Sequence, residues 1–206
     1  MLQVLRKENQ FHYKLKNKIM EEGFGKSRQQ ERFPIEIKIA RPEDWQTYKA
    51  LRLEAISGSD APMFGGDHEG EKNRSDEEWI NDLSANENVV TVLVFQGKEA
   101  IGMGRITKMT EEAWFIGSGY IKPGFRGGTG KKLFAFRLSE IIKRGGIMAE
   151  TSVSITNGPS LGVVGFFGFR SKDVYTSDTG RTWNILFLDL RDPTVTVKIN
   201  EVLDAG

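Results

Sequence analysis

The stretch from Pro123 to Lys132 holds four glycines, Gly124, Gly127, Gly128 and Gly130, among three cations, Arg126, Lys131 and Lys132. It follows an apolar run, Trp114 to Ile121, and precedes apolar residues at helical spacing: Leu133, Phe134, Leu138, Ile141 and Ile142. A strand that turns through glycines into a helix leaves the first amides of that helix without intrahelical acceptors. The end of the helix dipole adds about half a positive charge there, so the amides of Gly127 to Lys131 form a candidate anion cradle. Glycine suits such a cradle because no Cβ keeps a phosphate away from the backbone. The same residues also fit a connection that binds nothing, since glycine-rich turns are common punctuation. They do not fit a nucleoside-triphosphate P-loop. Counting back from Gly130 lands on Phe125 instead of glycine, and Lys132 stands where a magnesium-binding hydroxyl is required.

The two histidines offer little chemistry. His68 lies in a polar stretch and reads as a solvated residue, and His12 precedes the patterned part of the chain. The absence of cysteine excludes disulfides, thiolate metal sites and a cysteine nucleophile, and it fits a reducing, cytoplasmic compartment. A formal charge of +1 gives no field for nucleic acid. No apolar run reaches the ~18 residues a membrane span needs. The N-terminus lacks the long apolar stretch of a secretory signal. No internal metal-ligand pattern is present.

The elements that would position the cradle follow from periodicity. Ile35 to Ala40 alternates as a strand. Pro42, Glu43 and Asp44 open a helix with acidic residues at its positive end. Ser57 to Asn73 reads as a long polar loop, and Ser75 with Glu78 as a capping box before a short helix. Val89 to Phe95 and Ala100 to Met109 form a hairpin around Gly97, and Trp114 to Ile121 is the next strand. A helix from 131 to 144 stops at Gly145-Gly146, Ile147 to Thr156 is a strand, and Gly158-Pro159 opens another helix. Val174-Tyr175 and Trp183 to Leu190 close the sheet. The order is strand, two helices, three strands, helix, strand, helix, two strands. This predicts an α/β fold with a mixed, mostly antiparallel central sheet flanked by helices. Residues 1–33 carry a weak apolar stripe and read as an N-terminal extension, helical in character, whereas 34–190 form the domain and 191–206 a C-terminal tail.

Three segments resemble the GNAT superfamily of acyl-CoA-dependent N-acetyltransferases. Tyr120 through Leu133 is similar to its acyl-CoA-binding motif. Asn157, Ser160, Val163, Val164, Phe167 and Gly168-Phe169 match a later motif without a gap. Ile37 to Leu53 looks like its opening strand and helix. The resemblance implies acetyl-CoA as cosubstrate and no metal. It implies cofactor binding by Tyr120, Ile121, Arg126, Gly127, Gly128, Thr129, Gly130, Lys131 and Asn157, the last through both polar groups of its side chain. The acceptor would be a small-molecule or peptide amine attacking the thioester directly, with a backbone amide of the preceding strand polarising the carbonyl. A homodimer is left open. Two departures stand out. The cradle is one residue shorter than the family's, and Val164 occupies the place of a Tyr that protonates the leaving thiolate. No catalytic side chain is assigned, and a CoA-binding sensor or scaffold without catalysis is the alternative.

Overall fold

Alternating and β-branched runs form seven strands in the computed structural model, which describes residues 33–205 apart from positions 59, 60, 65 and 85. They are β1 (Ile35–Ile39), β2 (Val89–Gln96), β3 (Glu99–Lys108), β4 (Ala113–Ile121), β5 (Met148–Ser154), β6 (Arg170–Thr176) and β7 (Thr182–Asp189). One sheet takes all of them in the order β1-β2-β3-β4-β5-β7-β6. Every neighbouring pair is antiparallel except β4 with β5. The helices are α1 (Trp45–Ser57), α2 (His68–Lys72), α3 (Asp76–Asn81), α4 (Thr129–Lys143), α5 (Gly158–Phe167) and α6 (Pro193–Asp204). Apart from Phe33, the expected N-terminal extension lies outside the described residues.

Each face of the sheet buries its own apolar cluster. Leu133, Phe134, Leu138 and Ile141 of α4 pack with Val92, Ile106, Ile116 and Val153 of the strands. On the other face Tyr48, Leu51 and Ala55 of α1 and Trp79 of α3 pack on Leu93, Met103 and Tyr120. Burying one such side chain contributes about 1.5–3 kcal/mol, so these two layers hold β4 firmly between them. The capping box is formed: the Glu78 amide donates to Ser75 Oγ at 3.3 Å and the Ser75 amide to Glu78 Oε2 at 2.7 Å.

Three segments differ from the sequence expectation. The loop from Ser57 to Asn73 contains the short helix α2, which has no apolar stripe. It is held from outside, where Arg52 Nε of α1 donates to Glu71 Oε2 at 2.8 Å. Strand β6 begins at Arg170, four residues before the Val174-Tyr175 pair that marked it in the sequence. It is the sheet's edge and exposed along its whole length, so its charges face water and hide the alternation. The expected tail at 191–206 contains α6, whose Val195, Ile199 and Val202 join the core beside α4. Its start signal is ordinary: Asp192 Oδ1 accepts from the Thr194 amide at 2.9 Å, with Pro193 in the first turn. A run of β-branched residues, poor helix formers, obscured it.

Candidate active site

The site is a wedge where two parallel strands part. Pairing of β4 with β5 covers only Ala113 to Phe115 against Met148 to Glu150. Thr151 Oγ1 then makes a last tie to the Ile116 carbonyl at 2.8 Å. Beyond it β5 stays with β7 as far as Ser154, while β4 stays with β3 as far as Ile121. The gap opens into a cleft of about 880 Å³, lined along β4 from Phe115 to Ile121 and along β5 from Thr151 to Ser154.

A bulge lies on the β4 wall. Met103 faces Tyr120 and Arg105 faces Gly117, so Gly104 alone opposes both Ser118 and Gly119. Ser118 has φ 50°, the one non-glycine residue with positive φ among those described. A bulge leaves its extra residue out of the ladder, and here the ladder breaks against the cleft. The glycine-rich run from 117 to 119 was the sequence signal for it.

Arg137 of α4 backs this bulge. Its Nη1 donates to the Gly117 carbonyl at 2.9 Å, and a Cβ added to Gly104 or Gly119 would approach its guanidinium at 3.1 Å. The two glycines thus make room for the cation. Arg137 is 4% exposed, and among the described residues it has no carboxylate partner. Burial alone pushes its pKa down to about 9. Its position, between Phe134 and Leu138 on the buried side of α4, could have singled it out in the sequence.

The glycine turn leads into α4 as the sequence predicts, with the helix starting two residues earlier. Gly128 caps α4 at φ 92°, a conformation suited to glycine, and Thr129 is the first helical residue. Among the described residues the amides of Gly127, Gly128, Thr129 and Gly130 have no backbone acceptor. That of Lys131, expected to be open, donates to the Gly128 carbonyl at 3.0 Å, a tight first turn. A Cβ built on Gly124, Gly127, Gly128 or Gly130 would meet no atom within 4 Å. The fold's own packing therefore does not demand glycine at Gly124, Gly127 or Gly130; an approaching ligand would.

The three cations are not equivalent. Arg126 and Lys131 line the cleft, with Arg126 Nε also donating to the Ile121 carbonyl at 3.2 Å and Lys131 Nζ 3.9 Å from the Phe166 ring centroid. Lys132 turns away to the Ala205 carbonyl at 3.1 Å. Gly128, Gly130, Tyr120, Ile121 and Asn157 line the same cleft; Gly127 and Thr129 form its cradle without lining it. Asn157 caps α5, its Oδ1 accepting from the Ser160 amide at 3.2 Å. This use takes one lone pair of the oxygen and leaves its amide group free to donate. Val164 is 2% exposed in the apolar cluster and reaches the cleft wall.

One pair escaped the sequence reading. Tyr120 Oη donates to Glu54 Oε1 of α1 at 2.8 Å, placing a carboxylate beside the cleft from 66 residues away in sequence. His68 starts α2, with Nδ1 3.3 Å from Glu69 Oε1, and does not line the cleft; His12 lies outside the described residues. No cluster of three or more potential metal ligands occurs among the described residues.

In sequence the chain matches no family model and no curated protein. Its fold does match solved structures. The PaiA N-acetyltransferase of Thermoplasma acidophilum, solved with coenzyme A, is 18% identical with a TM-score of 0.61, covering 76% of this chain and 99% of its own. A GNAT-family acetyltransferase of Streptococcus pneumoniae is 16% identical with a TM-score of 0.64, covering 76% and 99%. The ribosomal-protein-S18-alanine N-acetyltransferase of Escherichia coli is 14% identical with a TM-score of 0.58, covering 76% and 94%. With β4 and β5 parted, a bulge on β4 and a glycine cradle leading into α4, this chain has the GNAT N-acetyltransferase fold.

Proposed function

We propose that the protein is an acyl-CoA-dependent N-acetyltransferase that moves the acetyl group of acetyl-CoA to a primary amine. The observation that carries this reading is the open cradle, with the amides from Gly127 to Gly130 unpaired among the described residues and room over its glycines, at the mouth of a wedge that exposes a backbone bulge. The pyrophosphate of acetyl-CoA fits the cradle, with Arg126 and Lys131 beside it. The pantetheine arm fits the wedge, where the Asn157 amide group can donate to it.

The chemistry needs few side chains. The amine nitrogen attacks the thioester carbonyl carbon, forming the C–N bond and an oxyanion. A bulge amide, aimed at that oxygen with the Arg137 charge behind it, would supply on the order of 3 kcal/mol. Holding both reactants in one cleft removes much of the cost of bringing them together. The C–S bond then breaks and the thiolate departs, while the amine proton passes to solvent or to Glu54. A thiol has a pKa of about 8.5, so the thiolate is a tolerable leaving group although Val164 cannot protonate it. Acceptors in this reading are small-molecule or peptide amines. The cysteine-free composition supports a cytoplasmic setting.

Val164 also motivates a second reading, a CoA-binding sensor without turnover. Gly130 separates binding from fold because its backbone is ordinary and its surroundings are open. Gly130→Leu should leave the melting temperature within a few degrees and weaken coenzyme A binding, measured by calorimetry, by about tenfold or more. An unchanged dissociation constant would remove the cradle from the account.

A further inference from the structure

The cleft has a second side that the cradle does not use. Ile116 and Ile121 belong to the apolar cluster on the α4 face, whereas Tyr120 belongs to the one on the α1 face. Phe115, next to Ile116 in an alternating strand, points to the α1 face as well, its ring so close over Gly117 that an added Cβ would lie 2.9 Å from it. Acetyl-CoA reaching in from the start of α4 would leave this face of the bulge for the acceptor.

What lines that face is aromatic. Phe64, Phe115, Tyr120, Tyr175 and Trp183 all border the cleft, with Met63 beside them. Phe64 meets Tyr120 edge to face at 6.0 Å. Tyr175 and Trp183 are paired across β6 and β7. The hairpin carrying them is latched to the turn carrying Met63 and Phe64, since Arg181 Nη1 donates to the Pro62 carbonyl at 2.7 Å. The latch brings aromatic groups from distant parts of the chain to one slot.

The slot also holds polar groups, Ser152 and Ser154 of β5 on the face shared with Trp183, and has a carboxylate beside it. Glu54 accepts from Tyr120 Oη and is exposed; among the described residues it has no cationic partner. Arg52, which also borders the cleft, is already paired with Glu71. One carboxylate without a cationic partner among the described residues therefore stands behind the Tyr120 hydroxyl, at the edge of the aromatic slot and not in the cleft lining itself. A monocation with an apolar body matches this pattern. A polyamine would bring a second ammonium, and among the described residues no carboxylate lines the cleft to meet it.

We infer that the acceptor is a primary amine bearing an aromatic or similarly large apolar group, its nitrogen near Glu54 and Tyr120 and its apolar body between Phe64, Phe115, Tyr175 and Trp183. The inference rests on the acetyltransferase reading and is tested apart from it. Acetylation of phenethylamine, ethylamine, spermidine and glucosamine by the full chain is compared by kcat/KM, and phenethylamine binding is measured separately by calorimetry. Phenethylamine should exceed the other three by about tenfold or more. Trp183→Ala should lower kcat/KM for phenethylamine by about tenfold with an unchanged KM for acetyl-CoA. Glu54→Gln should raise KM for every amine and not for acetyl-CoA. A preference for spermidine or glucosamine, or a Trp183→Ala effect on acetyl-CoA instead of the amine, would overturn the slot. Phenethylamine binding without acetylation of any amine would uphold the slot and overturn the catalytic reading, and absence of both binding and turnover would overturn the slot.

Discussion

Replacing Arg137 by methionine should separate stability from activity. Methionine keeps much of the side-chain volume and removes the charge. A guanidinium pushed by burial from its ordinary value down to about 9 corresponds to a burial cost of about 5 kcal/mol, at about 1.4 kcal/mol per pH unit. Against this, the variant strands the Gly117 carbonyl, which now accepts from Nη1 at 2.9 Å; an unsatisfied acceptor costs about 1–3 kcal/mol. The 3.4 Å contact from Nε to the Leu133 carbonyl is too long to add much. The balance is a gain of about 2–4 kcal/mol, and about 4–16 °C in melting temperature by scanning calorimetry for a chain of this size. The sign with pH follows. The folded-state pKa is below the unfolded one, so the wild type carries the full cost below about pH 9 and is relieved of it only as pH rises above that. The variant's advantage should be flat from about pH 6 to 8 and narrow above about pH 9. Activity should move the other way. With the bulge unsupported and the charge gone, kcat should fall about tenfold or more while coenzyme A affinity holds. A lower melting temperature for the variant, or an unchanged kcat, would refute a destabilising cation kept for the bulge.

Three further expectations follow from particular residues. Val164→Tyr should not raise turnover, because Val164 is packed in the apolar cluster and a larger ring there costs about 1–3 kcal/mol; a large gain, with a wild-type rate that falls through the thiol pKa, would show that the missing acid limits the reaction. Deleting residues 193–206 should abolish cooperative unfolding. Val195, Ile199 and Val202 of α6 are buried and together contribute about 4–9 kcal/mol; a soluble, two-state truncated chain would contradict this. A chain beginning at Phe33 should keep a cooperative transition, since Pro34–Gly206 forms its own unit, and a large drop in melting temperature would show the opposite.

Local signals carried most of the fold. The alternation of Ile35 to Ile39, the hairpin around Gly97, the box at Ser75 and Glu78, and the stripe of α4 all depend on neighbours within a few residues, so they were legible. The elements that went unread are stabilised from elsewhere. Helix α2 is tied down by Arg52 and α6 is built from β-branched residues that only tertiary packing makes helical, while β6 was read at Val174-Tyr175 and only its exposed start at Arg170 was missed. The site divides the same way. The cradle is a contiguous motif, and its glycines announced it. The pairing of Glu54 with Tyr120, the tie from Thr151 to Ile116, and Arg137 behind Gly104 and Gly119 are made by contacts across the sheet. No spacing along the chain encodes those contacts, although the place of Arg137 on the buried side of α4 was readable. Asn157 shows a mixture: its place was visible, but its capping of α5 shows only in the structure.

The central claim is transfer from a thioester to an amine, and its products can be counted together. Purified full-length protein is incubated with acetyl-CoA and phenethylamine at neutral pH. Free coenzyme A is measured with a thiol reagent and N-acetylphenethylamine by mass spectrometry in the same sample. The account predicts equal amounts of both, rising together and above a protein-free control. Coenzyme A release without acetylated amine, or neither product despite tight acetyl-CoA binding, would contradict it.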